Sequence, residues 1–259
     1  MRCIKKFFRF RERNIIVSPL EGRLRGVTTF EFDKEISKVK QSPKVKIPWP
    51  TKAAMSQIYD KNLWGGNAAE FYSGEGSHDP VLVTPYIDVV SNFLQSFEKP
   101  LTVCDLGCGD FNVGKDLVAC TAHYHAVDIV PSLIEYNQAK FQLPNLTFHC
   151  LDVAVDKLPS GDCALVRQVL QHLSNQEVQQ ILEKLSHFRF VIITEHLPSG
   201  DFEPNKDKIS GQGIRLKQNS GIDVLAQPFY WKVLAVKELL SLELGNGKGR
   251  IATILYENH

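Results

Sequence analysis

Three carboxylates close three short runs of β-forming residues: Leu101-Thr-Val-Cys-Asp105, His123-Tyr-His-Ala-Val-Asp128 and Phe148-His-Cys-Leu-Asp152. The first run enters a glycine turn, Asp105-x-Gly107-x-Gly109, and a helix-like segment is expected from about Val113. A strand that ends in two close glycines brings backbone N–H groups and a helix start to a ligand with no side chain in the way. A carboxylate at the end of the next strand is placed to accept both hydroxyls of a ribose. The chemistry this pattern suggests is nucleoside recognition along the C-terminal edge of a sheet.

Two ligand classes use such a turn. Dinucleotide sites require G-x-G-x-x-G, whose third glycine lets the helix pack close to the sheet. Here that position is Asn112, and the next glycine is Gly114. Asp105-x-Gly107-x-Gly109 instead resembles the first motif of class I S-adenosylmethionine (SAM)-dependent methyltransferases. Asp128 with Ile129, Asp152 with Val153, and the run Gly161-Asp-Cys-Ala-Leu-Val-Arg-Gln168 continue the resemblance in the order that family shows. The likeness covers about residues 80–196 and is weaker in the flanks.

That resemblance implies an α/β fold: a Rossmann-like, seven-stranded, mostly parallel sheet with helices on both faces and a C-terminal antiparallel hairpin. It implies SAM as cofactor and S-adenosylhomocysteine (SAH) as product. It places Gly107 and Gly109 beside the methionine portion, Asp105 near its amino end, Asp128 and Ile129 at the ribose, and Asp152 and Val153 at the adenine. Gln168, at the end of the fourth strand, joins this set. Trp64-Gly65-Gly66 and Phe71-Tyr72-Ser73-Gly74-Glu75-Gly76-Ser77 resemble a segment that precedes the domain in several bacterial small-molecule methyltransferases. Its glycines and aromatics suit a lid over the cofactor, with Trp64 and Ser73 as contacts.

The elements that must position these residues are legible in part. Thr51 to about Leu63 has helical spacing, and it carries Tyr59 as a candidate substrate contact. Thr84-Pro85 reads as a helix start, followed by Tyr86, Val89, Val90, Phe93 and Phe97 on one face. Pro131–Lys140 reads as a crossover helix, and Ser174-x-x-Glu177 as a capping box that opens another. Arg189–Thr194 is a hydrophobic strand ending at Glu195-His196. The segments 233–240 and 250–257, around Gly245-Asn-Gly-Lys-Gly249, read as the antiparallel hairpin. Strands separated by helices up to residue 196 imply right-handed parallel units.

Residues 197–229 are long, polar and irregular, and they leave the sheet at the end where ligands bind in open α/β folds. They are expected to form the substrate side, with Arg215 and Asp223 as candidate contacts. Methyl transfer requires alignment and, for a protic acceptor, removal of a proton. His196, His172 and Glu195 are the candidate bases. No Asn/Asp-Pro-Pro-aromatic sequence follows the fourth strand, which argues against amino-methylation of DNA. These features favour a small polar metabolite or sugar as acceptor, methylated at oxygen. RNA or protein methylation, and a non-catalytic SAM-binding module, are the alternatives.

With 259 residues, 43% of them hydrophobic, the chain can bury one full core. The expected organisation is a basic N-terminal extension and linker over 1–50 and a catalytic domain over 51–259. Within that domain, 51–80 is the lid and 197–229 the insert. Net charge is +1, so no global field favours nucleic acid. Residues 1–25, however, carry eight Arg or Lys against Glu12 and Glu21, a pattern that leaves an RNA-guiding arm open. A short hairpin is expected within 21–32. No run of 18 apolar residues suggests a membrane span. No carboxylate–histidine cluster has metal-ligand spacing, so no metal is expected. Six cysteines without a C-x-x-C pair suit a reducing cytoplasm, and Cys104, Cys150 and Cys163 are expected in buried strands.

Overall fold

A computed structural model describes residues 49–66 and 70–259. The expected extension over 1–50, apart from its last two residues, and the hairpin within 21–32 lie outside the described residues. Seven strands form one sheet in the order β3-β2-β1-β4-β5-β7-β6. They are β1 (Thr102–Leu106), β2 (His123–Asp128), β3 (Leu146–Cys150), β4 (Cys163–Arg167), β5 (Phe190–Leu197), β6 (Ala235–Glu243) and β7 (Arg250–Glu257). The first five are mutually parallel, and β7 runs antiparallel between β5 and β6. This is the Rossmann-like architecture expected from the sequence, including its terminal hairpin.

Alternation along the strands separates two cores. Val103, Tyr124, Ala126, Leu165 and Ile192 pack beneath Tyr86, Val90 and Leu94 of helix α2 (Pro80–Gln95). Cys104, Leu106, Val127, Val166 and Ile193 point the other way, towards Val178, Ile181, Leu182 and Leu185 of helix α4 (Asn175–Leu185). Met55, Ile58 and Tyr59 of helix α1 (Thr51–Asp60) join that second core. Helix α3 (Pro131–Lys140) links β2 to β3. Ser174 and Glu177 close the capping box as expected, each accepting from the other's backbone N–H.

Four local expectations change. Helix α2 begins at Pro80, with Asp79 accepting from the Val81 N–H, so Pro85 lies inside the helix instead of at its start. Asp79-Pro80 supplies the same cap-and-proline signal a turn earlier than Thr84-Pro85. After β1 there is no α-helix, only 3₁₀ turns at Gly114–Asp116 and Val118–Cys120. The cause is Phe111, which takes φ 62° and buries its ring against Tyr124, Phe141 and Phe148, with centroids 4.9–5.8 Å away. Strand β5 continues through Glu195 and His196, which pair with Ala252 and Ile251. Cys150 is exposed, because β3 is an edge strand and residues 151–162 form no helix over it. No helix among the described residues is long and apolar enough to cross a membrane.

Candidate active site

A cavity of about 570 Å³ opens at the C-terminal ends of β1, β2, β3 and β4. Its size is that of a small-molecule or cofactor cleft. Gly107 and Gly109 border it from the first turn, Asp128 and Ile129 from the second, and Asp152 and Val153 from the third. Gln168 closes it from the end of β4, and Trp64 and Ser73 from the lid.

The glycine turn works differently from the sequence expectation. The N–H groups of Gly107 and Cys108 both donate to the Val127 carbonyl, at 2.8 and 2.9 Å, and that of Gly109 donates to Asp128 Oδ2 at 3.1 Å. These amides are spent inside the protein, so the turn offers shape instead of bare donors. A Cβ on Gly107 would stand 2.3 Å from Val169 Cγ2, and one on Gly109 2.4 Å from Ser73 Oγ. Both residues also have positive φ, +87° and +55°. Gly107→Ala combines left-handed strain with overpacking and is expected to cost roughly 2–4 kcal/mol. Urea unfolding of the two proteins measures it, and a midpoint unchanged by the substitution would refute this account of the turn.

Asp128 is 8% exposed and is held at both oxygens, accepting from Gly109 N–H and, at 3.1 Å, from Val130 N–H. Burial raises its pKa, while the backbone donors pull it back down. Each carboxylate oxygen keeps a further lone pair for a ligand hydroxyl. Asp152 spends Oδ1 on the Ala154 N–H at 2.9 Å, and its own N–H is tied to Asp156 Oδ2 at 2.8 Å. Ile129, Leu151 and Val153 give the wall between these two acids an apolar surface. A paired acceptor, an apolar slot and a second acceptor suit the ribose, ring and amino group of a nucleoside. Gln168, in the left-handed region at φ 57°, has an Nε2 with no partner among the described residues.

Asp105 lies behind the turn, off the main cavity. It accepts from Tyr124 OH at 3.0 Å and borders an adjoining void of about 30 Å³ shared with Tyr86, Tyr124 and Arg167. Burial pushes its carboxyl up to about 7.

The lid is tied to the same turn. Ser73 N–H donates to Asp110 Oδ2 at 2.9 Å, and Asp110 N–H returns a bond to Ser73 Oγ at 2.8 Å. His78 Nε2 meets Asp110 Oδ2 at 2.6 Å, and Asn112 Nδ2 donates to the Ser77 carbonyl at 2.8 Å. Arg167 donates to Ser77 Oγ and the Gly76 carbonyl. Tyr59 OH lies 3.0 Å from Ser73 Oγ, and its ring packs edge-on against Trp64, which in turn meets His172. Tyr59 therefore borders the cavity while also fastening the lid. Asp110 and Arg167 as lid anchors were not apparent from the sequence, since their partners lie 32 to 91 positions away.

The candidate bases separate. Glu195 is only 3% exposed, and its two oxygens accept from the N–H groups of Leu170 and Gln171 at 2.9 and 3.1 Å. It braces the turn after β4 and does not border the cavity, a correction to the sequence expectation. Burial pushes its carboxyl up to about 8 against the pull of those donors. His172 borders the cavity, with Nδ1 3.3 Å from the Gly211 carbonyl and Nε2 3.4 Å from Gln171 Nε2. Burial holds it down near 4, so it is neutral at physiological pH. His196 also borders the cavity, with Nε2 2.7 Å from the Lys248 carbonyl.

On the insert, both candidate substrate contacts are corrected. Arg215 is 1% exposed and spends its guanidinium on the carbonyls of Lys206, Leu170, Gln171 and Leu173 and on Asn175 Oδ1. It is a staple between insert and core. Asp223 caps its own turn through the Leu225 N–H at 2.9 Å. The insert reaches the cavity instead through Gln212, Gly213, Ile214 and Lys217. Polar loop composition gave no signal for which of these would face inward. Among the described residues no group of three or more His, Cys, Asp or Glu is placed to hold a metal ion.

The family described as "Methyltransferase domain" matches residues 103–188. No curated protein matches the chain in sequence. Among solved structures, the N-methyltransferase NodS from Bradyrhizobium japonicum WM9, in complex with SAH, is similar at TM-score 0.57 and 8% identity, covering 80% of this chain and 100% of that one. Magnesium protoporphyrin IX methyltransferase (ChlM) from Synechocystis PCC 6803, with bound SAM, gives 0.51 and 15%, covering 82% and 100%. Human N-acetylserotonin methyltransferase, in complex with SAM, gives 0.50 and 15%, covering 81% and 60%. At these identities the likeness concerns the fold, while the family match spans β1 to α4 and includes the three strand-end acids. Residues 103–188 thus match a methyltransferase-domain family, and the sheet around them has the fold of these SAM- and SAH-bound methyltransferase structures.

Proposed function

We propose that this chain binds SAM in the 570 Å³ cavity and transfers its methyl group to a hydroxyl oxygen of a small polar acceptor. The observation that carries this reading is the single cavity joining Asp128, the Ile129–Leu151–Val153 wall and Asp152 to the lid and insert. The ligands of the similar structures, SAM and SAH, support the choice of nucleoside.

Bound there, SAM supplies a methyl group whose bond to sulfur breaks with the electron pair left on sulfur, while a new bond forms to the acceptor oxygen. The protein's part is alignment and exclusion of water. Asp128 would hold the ribose hydroxyls, the apolar wall would take the adenine, and Asp152 would accept from its amino group. The lid, fixed by Asp110 and Arg167, would cover the bound cofactor beside Trp64. Gln212, Ile214 and Lys217 border the acceptor side with His172 and His196.

The test is incubation of the full-length chain with SAM and a panel of small hydroxylated metabolites, sugars and phenols, with SAH formation as readout. The expected result is acceptor-dependent SAH formation at least tenfold above the rate without acceptor. Bound SAM with no acceptor-dependent turnover, but with turnover on RNA or a protein, would replace the small-molecule reading.

A further inference from the structure

The candidate bases differ in what holds their nitrogens, and the difference lies in the hairpin. His196 sits in β5 opposite Ile251 of β7. Its Nε2 is 2.7 Å from the carbonyl oxygen of Lys248. A carbonyl only accepts, so Nε2 carries the proton and, in the neutral ring, Nδ1 is left with its lone pair. Nδ1 has no hydrogen-bond partner among the described residues, and it is not among their buried unpartnered polar atoms. His196 is among the residues that line the cavity.

The turn that supplies the carbonyl is built to hold it there. Lys248 N–H donates to the Gly245 carbonyl at 3.0 Å, and Leu244 N–H to the Gly249 carbonyl at 2.9 Å. Gly249 has φ +91°, and a Cβ there would stand 2.3 Å from the Leu197 carbonyl oxygen and 3.2 Å from His196 Nε2. Only glycine lets the turn approach the strand and the ring this closely. Behind the ring, the His196 N–H donates to Gln171 Oε1 at 3.2 Å. His172 differs, because both of its nitrogens already face protein groups.

We propose that the β6–β7 turn is a positioning element for methyl transfer: Lys248 and Gly249 hold His196 with Nε2 protonated, leaving Nδ1 as the proton acceptor at the cavity. The acceptor class this selects carries an O–H that donates to Nδ1, instead of an anionic group already stripped of its proton. On methyl transfer the hydroxyl proton passes to Nδ1 and then to solvent. This rests on the reading of the cavity as a methyl-transfer site, but its test does not depend on SAM binding.

The experiment is ¹⁵N NMR of the histidine rings of the full chain at about pH 8, with the His196 signals assigned by their loss in His196→Asn. Free histidine already favours a proton on Nε2, so the decisive quantity is the lifetime of that proton. A hydrogen bond of about 1 kcal/mol net slows its exchange roughly fivefold to tenfold relative to a peptide histidine. The expected result is a bare-nitrogen shift at Nδ1 with a protected Nε2 proton, and loss of that protection in Gly249→Ala. An insertion of one residue at Asn246, which lengthens the turn without entering the strand and is expected to remove the same protection, keeps the test sound if Gly249→Ala fails to fold. A proton on Nδ1, or an Nε2 proton exchanging as freely as in a peptide, would overturn the proposal. SAH titration of the Gly249→Ala and turn-insertion variants is expected to be unchanged, so that loss of cofactor binding registers separately.

Discussion

Asp128→Ala is expected to weaken binding of SAM and SAH by at least about 100-fold. Hydrogen bonds to a charged acceptor contribute roughly 1.5–3 kcal/mol each, and two ribose hydroxyls share this carboxylate in the proposed complex. The residue stands at the end of β2, where both oxygens are already oriented by the N–H groups of Gly109 and Val130. Little ordering therefore remains to be done on binding, which concentrates the effect in affinity. The same two bonds give Asp128 a structural role, so circular dichroism and thermal unfolding must accompany the calorimetry. Asp128→Asn retains the size and one acceptor and is expected to fall between the two. Equal SAM affinity in the folded Ala variant and the parent would show that the ribose does not bind here.

Arg215→Met is expected to lower stability by about 3–5 kcal/mol, the range for removing one partner of a buried polar network. For a chain of this size that corresponds to a fall in Tm of roughly 10 °C. Four backbone carbonyls and Asn175 Oδ1 lose their donors at once, and they belong to the turn after β4, to the start of α4 and to the insert. Thermal unfolding with intact far-ultraviolet dichroism at 20 °C measures it. If the substitution instead left Tm unchanged and altered only acceptor kinetics, Arg215 would be the substrate contact that its sequence position suggests.

Arg215 also shows where sequence reading stops. An arginine in a polar, glycine-rich loop gives no sign that the loop folds back to carbonyls 40 or more positions earlier. The strand-end acids are different. Asp128 and Asp152 each follow a short β-forming run and precede a break, so strand, turn and carboxylate are all written within about six residues. The terminal hairpin was legible for the same reason, since two β-rich runs flank a loop with three glycines. The segment after Gly109 was not. Its helix-like pattern is overridden by Phe111, whose burial among three aromatics from other elements imposes a left-handed residue where a helix would start.

Glu195 and His196 make the same point at closer range. Adjacent residues at a strand end were both candidate bases, with His196 preferred, but β5 runs on through Leu197 and the pleat turns them to opposite sides. One carboxylate then braces two backbone N–H groups, and the neighbouring histidine is among the residues that line the cavity. Strand alternation decides this once the strand's end is known, and the end depends on β7 pairing from beyond the insert. The glycines likewise sit where the sequence expects them, but for the sake of Val169 and Ser73 and not for open amides.

The most direct test of the central claim is calorimetric titration of the full-length chain with SAM and with SAH. The account predicts saturable binding of both at a single site, with affinity in the micromolar range, about −8 kcal/mol. Absence of binding heat and of any thermal stabilisation by either ligand at millimolar concentration would contradict it, leaving a methyltransferase fold whose cavity serves another molecule.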